Sequence, residues 1–360
     1  MALVNFLRFD SNRGAIISDE EYWNVHFRKR MHGDNLHPLL TPEQSEQTGV
    51  QAVYGSVGYP ALHKETLVRT QRRIPEILNR AEADSTFRVK DLARAAFDAL
   101  IAVIRLRIDQ NMKFFFGFDT DDLNRGFYLE NDSKISIKTE VVREAARKLA
   151  DQSQKDTLLK AVLEAKAVVF GYDHDGITGY HLSAENAIMG YIHEGFEAVG
   201  SGKYASGIVL GASMKSRNMQ MRQSGYEIGQ GLFELIDSAI IAGDHFREVG
   251  GTYNMVILDR TRGVRMPYRE VFDHQARLAT EIVRACREGL LDRTIACNLL
   301  DRLIMREESS EPIEAELFRE TTDPVRLHFV LRNYKLEETR IIANQVKESN
   351  KGQLFTGELR

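Results

Sequence analysis

Residues 196–211 have the sequence FEAVGSGKYASGIVLG, and this junction decides how the fold is interpreted. An apolar run typical of a strand ends at Gly200-Ser201-Gly202, and a run of small residues typical of a helix follows. Glycines at such a junction allow a tight turn and a close approach of the backbone. The serine between them either caps the helix or belongs to an active site. The rest of the chain has to distinguish these roles.

The composition is that of a soluble globular protein. The chain has 360 residues, of which 43% are hydrophobic and 28% are charged. A net charge of −4 gives no sign of a nucleic-acid partner or an anionic-membrane partner, and no apolar run is long enough to predict a membrane span. The opening residues MALVNFLRFDSNRG lack signal-peptide features, so we expect the chain to be mature from its first residue. Two cysteines make no disulfide framework, and we expect a reducing, cytoplasmic location.

Hairpins and helices follow each other along the chain. Alternating or continuous apolar runs predict strands at residues 2–9, 14–19, 50–60, 166–183, 187–200 and 252–259. Apolar residues at three- and four-residue spacing predict helices at 89–113, 139–165, 226–242 and 268–305. Residues 114–138 are predicted to be irregular, and residues 323–334 form either a strand or a short helix.

This order predicts an α+β protein. We expect a four-layer αββα sandwich, in which two antiparallel sheets pack face to face and helix pairs flank them, with extra C-terminal helices. The predicted sandwich domain covers residues 1–290 and contains a polar and helical insert near 114–165. A C-terminal helical extension covers residues 291–360.

Four stretches in this order resemble the proteasome family of N-terminal-nucleophile (Ntn) hydrolases. They are GAIISDEEYW (14–23), VVFGYDHDGITGYHLS (168–183), EAVGSGKYASGIVL (197–210) and, as a weaker match, VGGTYNMVILD (249–259). No single motif is specific, and their order over residues 2–290 carries the resemblance. It implies the Ntn sandwich fold and, for active members, cleavage of peptide bonds by an N-terminal threonine.

The resemblance also implies a hydroxyl or thiol on the first residue of the mature chain, because the free α-amine is the general base. Residues 1–10, MALVNFLRFD, contain no serine, threonine or cysteine. Removal of Met1 exposes Ala2, which has no nucleophile. We therefore predict a bacterial-type homologue that lacks the N-terminal Thr, and whether the chain is an enzyme stays open.

Three residues are candidates for a remnant of the family's site. By resemblance, Asp19 matches the aspartate that orients a lysine, Lys29 is the nearest lysine on the next strand, and Ser201 matches the serine beside the nucleophile. Each has an ordinary alternative: Asp19 accepts backbone hydrogen bonds at a strand end, Lys29 belongs to a solvated basic run, and Ser201 caps a helix.

Other candidate sites have simpler interpretations. Asp173 and Asp175 are explained by an Asp-Gly turn, and they lack the spacing of a calcium loop. The acidic residues near 119–124 are typical of a solvated loop. No histidine stands at a metal-ligand spacing. We expect no metal and no cofactor.

Three functions remain open. The first is a proteasome-like subunit that is a non-catalytic structural or regulatory component of a ring. The second is an active Ntn-type peptidase or amidohydrolase with an unrecognised nucleophile. The third is a binding protein that reuses the fold. We expect self-assembly into a ring or dimer and consider a protein or peptide partner, with no nucleic-acid and no membrane partner.

Overall fold

A computed structural model describes residues 3–19, 21–24, 29–32, 35–84, 87–131, 133–144, 147, 164–220, 227–246, 248–262 and 268–330. The predicted α+β class is confirmed, since antiparallel sheets and helices make up this part of the chain.

The strands follow the predicted runs closely. In chain order they are β1 (Leu3–Arg8), β2 (Arg13–Asp19), β3 (Glu21–Asn24), β4 (Lys29–His32), β5 (Leu36–Pro38), β6 (Gln51–Val57), β7 (Phe127–Glu130), β8 (Ser133–Ser136), β9 (Lys166–Asp173), β10 (Gly176–Ser183), β11 (Ile188–Tyr191), β12 (Phe196–Gly200), β13 (Tyr253–Asp259) and β14 (Arg269–Val271).

The helices lie between these groups of strands. In chain order they are α1 (Pro42–Thr48), α2 (Pro60–Asp84), α3 (Val89–Phe116), α4 (Thr120–Arg125), α5 (Lys203–Gln220), α6 (Ile228–His245), α7 (Asp273–Arg287), α8 (Arg293–Leu300), α9 (Ser310–Glu320) and α10 (Pro324–Val330). A 3₁₀ turn covers Arg260–Arg262 and a π-helical turn covers Asp301–Met305.

Two five-stranded sheets form the centre of the fold. The first has the strand order β12-β1-β2-β13-β14, and the second has the order β11-β10-β9-β6-β5. All the pairings are antiparallel. Strands β3 and β4 pair only with each other, as do β7 and β8. The β1–β2 hairpin and the β9–β10 hairpin are those that the sequence predicts.

Apolar side chains from both sheets share one buried cluster. Val4, Phe6 and Ile16 from the first sheet join Val53 and Phe170 from the second. The rings of Phe6 and Phe170 lie 4.3 Å apart between centroids. Because side chains alternate along a strand, the neighbouring residues face the opposite side of each sheet and pack on helices.

Each sheet has a further cluster on its other side. Helices α2 and α3 share one with the second sheet, and helices α5 to α10 share the other with the first sheet. Leu303, Ile313, Leu317 and Leu327, beyond the predicted boundary at residue 290, belong to this second cluster. The division into a domain and an extension stays a prediction.

Two stretches differ from the sequence prediction. Residues 268–305 are not one helical region, because Arg269–Val271 pairs with β13 as an edge strand and Asp292 caps the separate helix α8. Residues 114–138, predicted to be irregular, contain α4 and the β7–β8 hairpin. There Met112 and Phe118 form a small core of their own. Most of the predicted helix at 139–165 lies outside the described residues.

The sequence predicts either a strand or a short helix at residues 323–334. The described part is helical, as α10. Among the helices of the described ranges, none has both the length and the apolar character needed to cross a membrane.

Helices α6 and α8 meet at a glycine. A Cβ atom at Gly229 would overlap the backbone carbonyl oxygen of Cys297, whereas a Cβ atom at Gly207 on α5 would have nothing within 4 Å. Gly229 is thus a helical glycine with no room for a side chain, and Gly207 is one with room for it.

We expect Gly229→Ala to lower the free energy of unfolding by roughly 1–3 kcal/mol, since α8 must move away from α6. Gly207→Ala is the matched control. It should leave stability unchanged or raise it by about 0.5–1 kcal/mol, because alanine favours the helix. Urea unfolding followed by circular dichroism measures both, and equal effects of the two substitutions would contradict this packing.

Candidate functional site

Strand ends from both sheets meet at one end of the fold. In the first sheet Leu3, at the start of β1, pairs with Gly200, at the end of β12. In the second sheet Lys166, at the start of β9, pairs with Val57 on one side and Ser183 on the other. A cleft of about 490 Å³ lies between these ends. Its polar lining consists of Glu164, Lys166, Glu185, Ser201, Lys203 and Glu248.

Asp19 is the last residue of β2 in the first sheet and is fully buried. Its Oδ1 accepts a hydrogen bond of 2.6 Å from the backbone N–H of Leu3. Its Oδ2 accepts one of 3.3 Å from the backbone N–H of Gly250. The carboxyl group therefore joins the start of β1 to the turn before β13, as expected for a strand-end aspartate. It is not among the residues that line the cleft.

Burial governs the ionisation of Asp19. It raises the pKa of the carboxyl group from 3.8 to about 8, against the lowering effect of the hydrogen bonds from Leu3 and Gly250. A protonated carboxyl group at neutral pH is a poor partner for a catalytic ammonium group.

Lys29 does not join Asp19 in a sheet. It lies in β4, which pairs with β3 in a separate two-stranded hairpin, opposite Asn24. Its side chain lies outside the described residues. A role of Lys29 in a remnant active site stays a prediction.

Ser201 lines the cleft, and its hydroxyl donates a hydrogen bond of 2.8 Å to Oε2 of Glu248. The hydroxyl proton is thus directed to a side chain, while a helix cap would use the hydroxyl oxygen as an acceptor, so the capping role that the sequence suggests stays a prediction. Glu248 lies in the turn after α6, far along the chain from Ser201, so no local motif connects the two. A hydroxyl beside a carboxylate is the one pair in the cleft with the composition of a nucleophile and a base.

The opposite wall of the cleft carries an ion pair. Lys166 Nζ lies 3.0 Å from Oε2 of Glu185. On the first-sheet side, Lys203 Nζ lies 4.8 Å from the centre of the Tyr204 ring. Sequence reasoning missed these residues, although Lys166 is the first residue of a predicted strand and Lys203 directly follows the Gly-Ser-Gly junction.

His181 and Glu197 face each other behind the two lysines. Nδ1 of His181 and Oε1 of Glu197 are 4.0 Å apart. Burial, with Lys166 and Lys203, lowers the pKa of His181. Burial also raises the pKa of Glu197. Both shifts favour uncharged side chains in this part of the sandwich.

The other acidic candidates cap helices. Asp173 accepts hydrogen bonds from the N–H groups of Val89, which starts α3, and of Asp175 in the turn. Asp119 caps α4 through the N–H of Asp122. Within the described ranges no group of histidine, cysteine and acidic side chains could hold a metal ion.

Comparisons with known proteins correct the family assignment. No family model and no curated protein matches the chain. Among solved structures, Anbu (ancestral beta-subunit) from Yersinia bercovieri matches with a TM-score of 0.42 and 14% identity, covering 75% of this chain and 87% of that one. An Anbu (Gly-1) mutant from Hyphomicrobium sp. strain MC1 matches with a TM-score of 0.47 and 12% identity, covering 80% and 96%.

The prediction that the chain is a proteasome-family Ntn hydrolase homologue without its threonine is therefore wrong. The matching structures are Anbu proteins, which are proteasome-like but distinct. At these identities and TM-scores the likeness assigns no role to any residue of this chain.

The raised pKa of Asp19 predicts a pH dependence of stability. The folded chain keeps the Asp19 proton where the unfolded chain has lost it, so this group's contribution to the free energy of unfolding falls as the pH rises from about 4 to about 8. Asp19→Asn removes this dependence. It should also cost roughly 1–3 kcal/mol, because its amide nitrogen faces a backbone donor.

Urea midpoints of the wild type and Asp19→Asn at several pH values between 5 and 8 test this expectation. The stability advantage of the wild type should shrink as the pH rises. An advantage that is constant or grows with pH would show that Asp19 titrates as an ordinary carboxylate.

Proposed function

We propose that this chain is a proteasome-like subunit with a structural or regulatory role that assembles into a ring or a dimer. The observation that carries the non-catalytic role is the contact at the head of β1. Asp19 holds the backbone of Leu3 there, and Leu3 itself is apolar and fully buried. Residues 3–10 of this strand and turn offer no serine, threonine or cysteine. The carboxyl group is thus engaged in folding, at the place where an N-terminal nucleophile would be needed.

The core clusters support a four-layer αββα order. The cluster shared by both sheets forms the middle of the sandwich, and the two clusters shared with helices form its outer interfaces. We infer that helices α2 and α3 cover one sheet and that α5 and α6 cover the other. Residues 1–290 then form the sandwich domain and 291–360 the extension.

Exposed apolar side chains support assembly. Tyr204 and Ile208 lie one turn apart on α5, with 72% and 75% of their surfaces exposed. Within the insert, Phe114 and Phe115 at the end of α3 and Leu129 in β7 are also exposed. Exposed apolar patches of this kind mark surfaces that other chains cover. We propose further copies of this chain at α5 and a protein or peptide partner at the insert.

The second candidate function is hydrolysis at Ser201. Its hydroxyl donates a 2.8 Å hydrogen bond to Glu248 inside the cleft, and this contact favours a hydrolase over a binding protein as the second candidate. Glu248 would act as the base that takes the hydroxyl proton. Among the described residues no hydrogen bond joins an imidazole or an amine to this pair, so the base would be weaker than in a serine hydrolase of the Ser-His-Asp type.

Native mass spectrometry of the full chain tests assembly. We expect species at a multiple of the 41.0 kDa mass of one chain. Tyr204→Ser combined with Ile208→Ser should shift the population to the monomer, because it removes the exposed apolar surface of α5. Leu129→Ser on the insert is the matched control and should leave the assembly intact. A wild-type protein that is a monomer at all concentrations would contradict the proposal.

A peptidase assay separates the two candidate functions. With fluorogenic peptides and simple amides we expect no turnover above background, and no difference between the wild type and Ser201→Ala. Turnover that Ser201→Ala and Glu248→Gln both abolish would instead establish the hydrolase. Circular dichroism of each variant confirms that a loss of turnover does not reflect unfolding.

A further inference from the structure

The helices that cover the first sheet form a layer with two distinct sides. In that sheet β12 is one edge strand and β14 is the other. Helix α5 packs on β12 and β1, α6 packs on β1 and β2, and α7 packs on β13. Helices α9 and α10 pack on α7 and on each other. Helix α9 also packs on the π-helical turn, whose Leu303 carbonyl oxygen accepts a hydrogen bond of 3.4 Å from Arg269 of β14. Helix α5 therefore lies towards the β12 edge, and α9 and α10 lie towards the β14 edge.

The exposed face of α5 is apolar and basic. Tyr204 and Ile208 lie one turn apart and expose 72% and 75% of their surfaces. Ala212 and Lys215 continue the same face towards the end of the helix and are also exposed. In the sequence, residues 201–226 contain four basic residues and no acidic residue. A partner of this face has to supply apolar contacts and negative charge.

The opposite side of the layer has the complementary character. Residues 307–323 contain seven acidic residues and one basic residue. Several of these acids form ion pairs with arginines of the same chain. Glu311 in α9 and Asp323 directly before α10 are exposed at the surface. Val325 in α10 is an exposed apolar residue, with 71% of its surface accessible.

The charges distinguish two ways in which a second copy could cover α5. A two-fold dimer would place the α5 helices of both copies against each other, and all charged residues of this helix are basic. In a head-to-tail contact, α5 of one copy meets α9 and α10 of the next, so that basic groups face acidic groups. Val325 then meets the apolar pair Tyr204 and Ile208. Because the two surfaces lie on different sides of the layer, one copy can use both at once.

We propose that α5 of one copy docks on α9 and α10 of a second copy of this chain. This contact rests on the proposed assembly at α5 and specifies which part of the next copy covers that helix. Since the two surfaces differ, the contact repeats from copy to copy. It produces a ring where the rotation closes and an open helical array where it does not, and it excludes an isolated two-fold dimer.

Two variants that each lose one side of the contact test it. The α5 variant carries Tyr204→Ser and Ile208→Ser, and the α10 variant carries Glu311→Lys and Val325→Lys. Either variant alone should be monomeric in native mass spectrometry, because all its copies lack the same side of the contact. A 1:1 mixture, with one variant labelled with nitrogen-15, should form heterodimers, since each variant keeps the side that the other has lost. Assembly in the mixture should stop at two chains.

The insert offers a matched control. Leu129→Lys combined with Glu130→Lys in β7 also replaces an exposed apolar residue and an exposed acidic residue, and it should assemble as the wild type does. Circular dichroism establishes that each variant is folded. If the wild type assembles, an α10 variant that still assembles or a mixture that stays monomeric would overturn the head-to-tail contact while leaving the proposed assembly in place. A wild type that is monomeric at all concentrations would remove the proposed assembly itself.

Discussion

The carboxyl group of Asp19 joins two parts of the first sheet that are far apart in the chain. One oxygen accepts the N–H of Leu3 at the start of β1, and the other accepts the N–H of Gly250 before β13. Because β1 and β13 lie on either side of β2, which ends at Asp19, this single side chain fixes the end of three adjacent strands. The cleft at this end takes its shape from that anchoring, since Leu3 also pairs with Gly200 beside Ser201.

The residue that anchors these strands is distinct from the charged residues that line the cleft. Asp19 is buried at the end of β2 and does not line the cleft. The charged groups that line the cleft lie at or near the ends of other elements: Glu164, Lys166, Glu185, Lys203 and Glu248. The polar lining of the cleft combines the three glutamates Glu164, Glu185 and Glu248 with the two lysines Lys166 and Lys203 and with Ser201.

Much of the fold could be predicted because its signals are local. The β1–β2 hairpin follows from apolar runs around a turn, and the Asp-Gly turn between β9 and β10 follows from its composition. The Gly-Ser-Gly junction marks the step from β12 to α5 as expected. The edge strand β14 was missed because its pairing with β13 is a tertiary contact within a helix-like apolar pattern. The family assignment failed because it rested on short glycine and aspartate motifs, none of which is specific by itself.

The site was harder to predict, since its contacts join residues distant in sequence. Asp19 lies at a strand end as predicted, whereas Lys29, which is near it in the sequence, lies in a separate hairpin, and a role of either residue in an active site stays a prediction. Ser201 and Glu248 are 47 residues apart, and Ser183 meets Lys166 across a hairpin. Carbon-13 NMR of the Asp19 carboxyl carbon, followed against pH, tests the central claim most directly. The account predicts a carboxyl group that is protonated at pH 7 and titrates near pH 8. Titration near pH 4, with an ionised carboxylate at neutral pH, would contradict it.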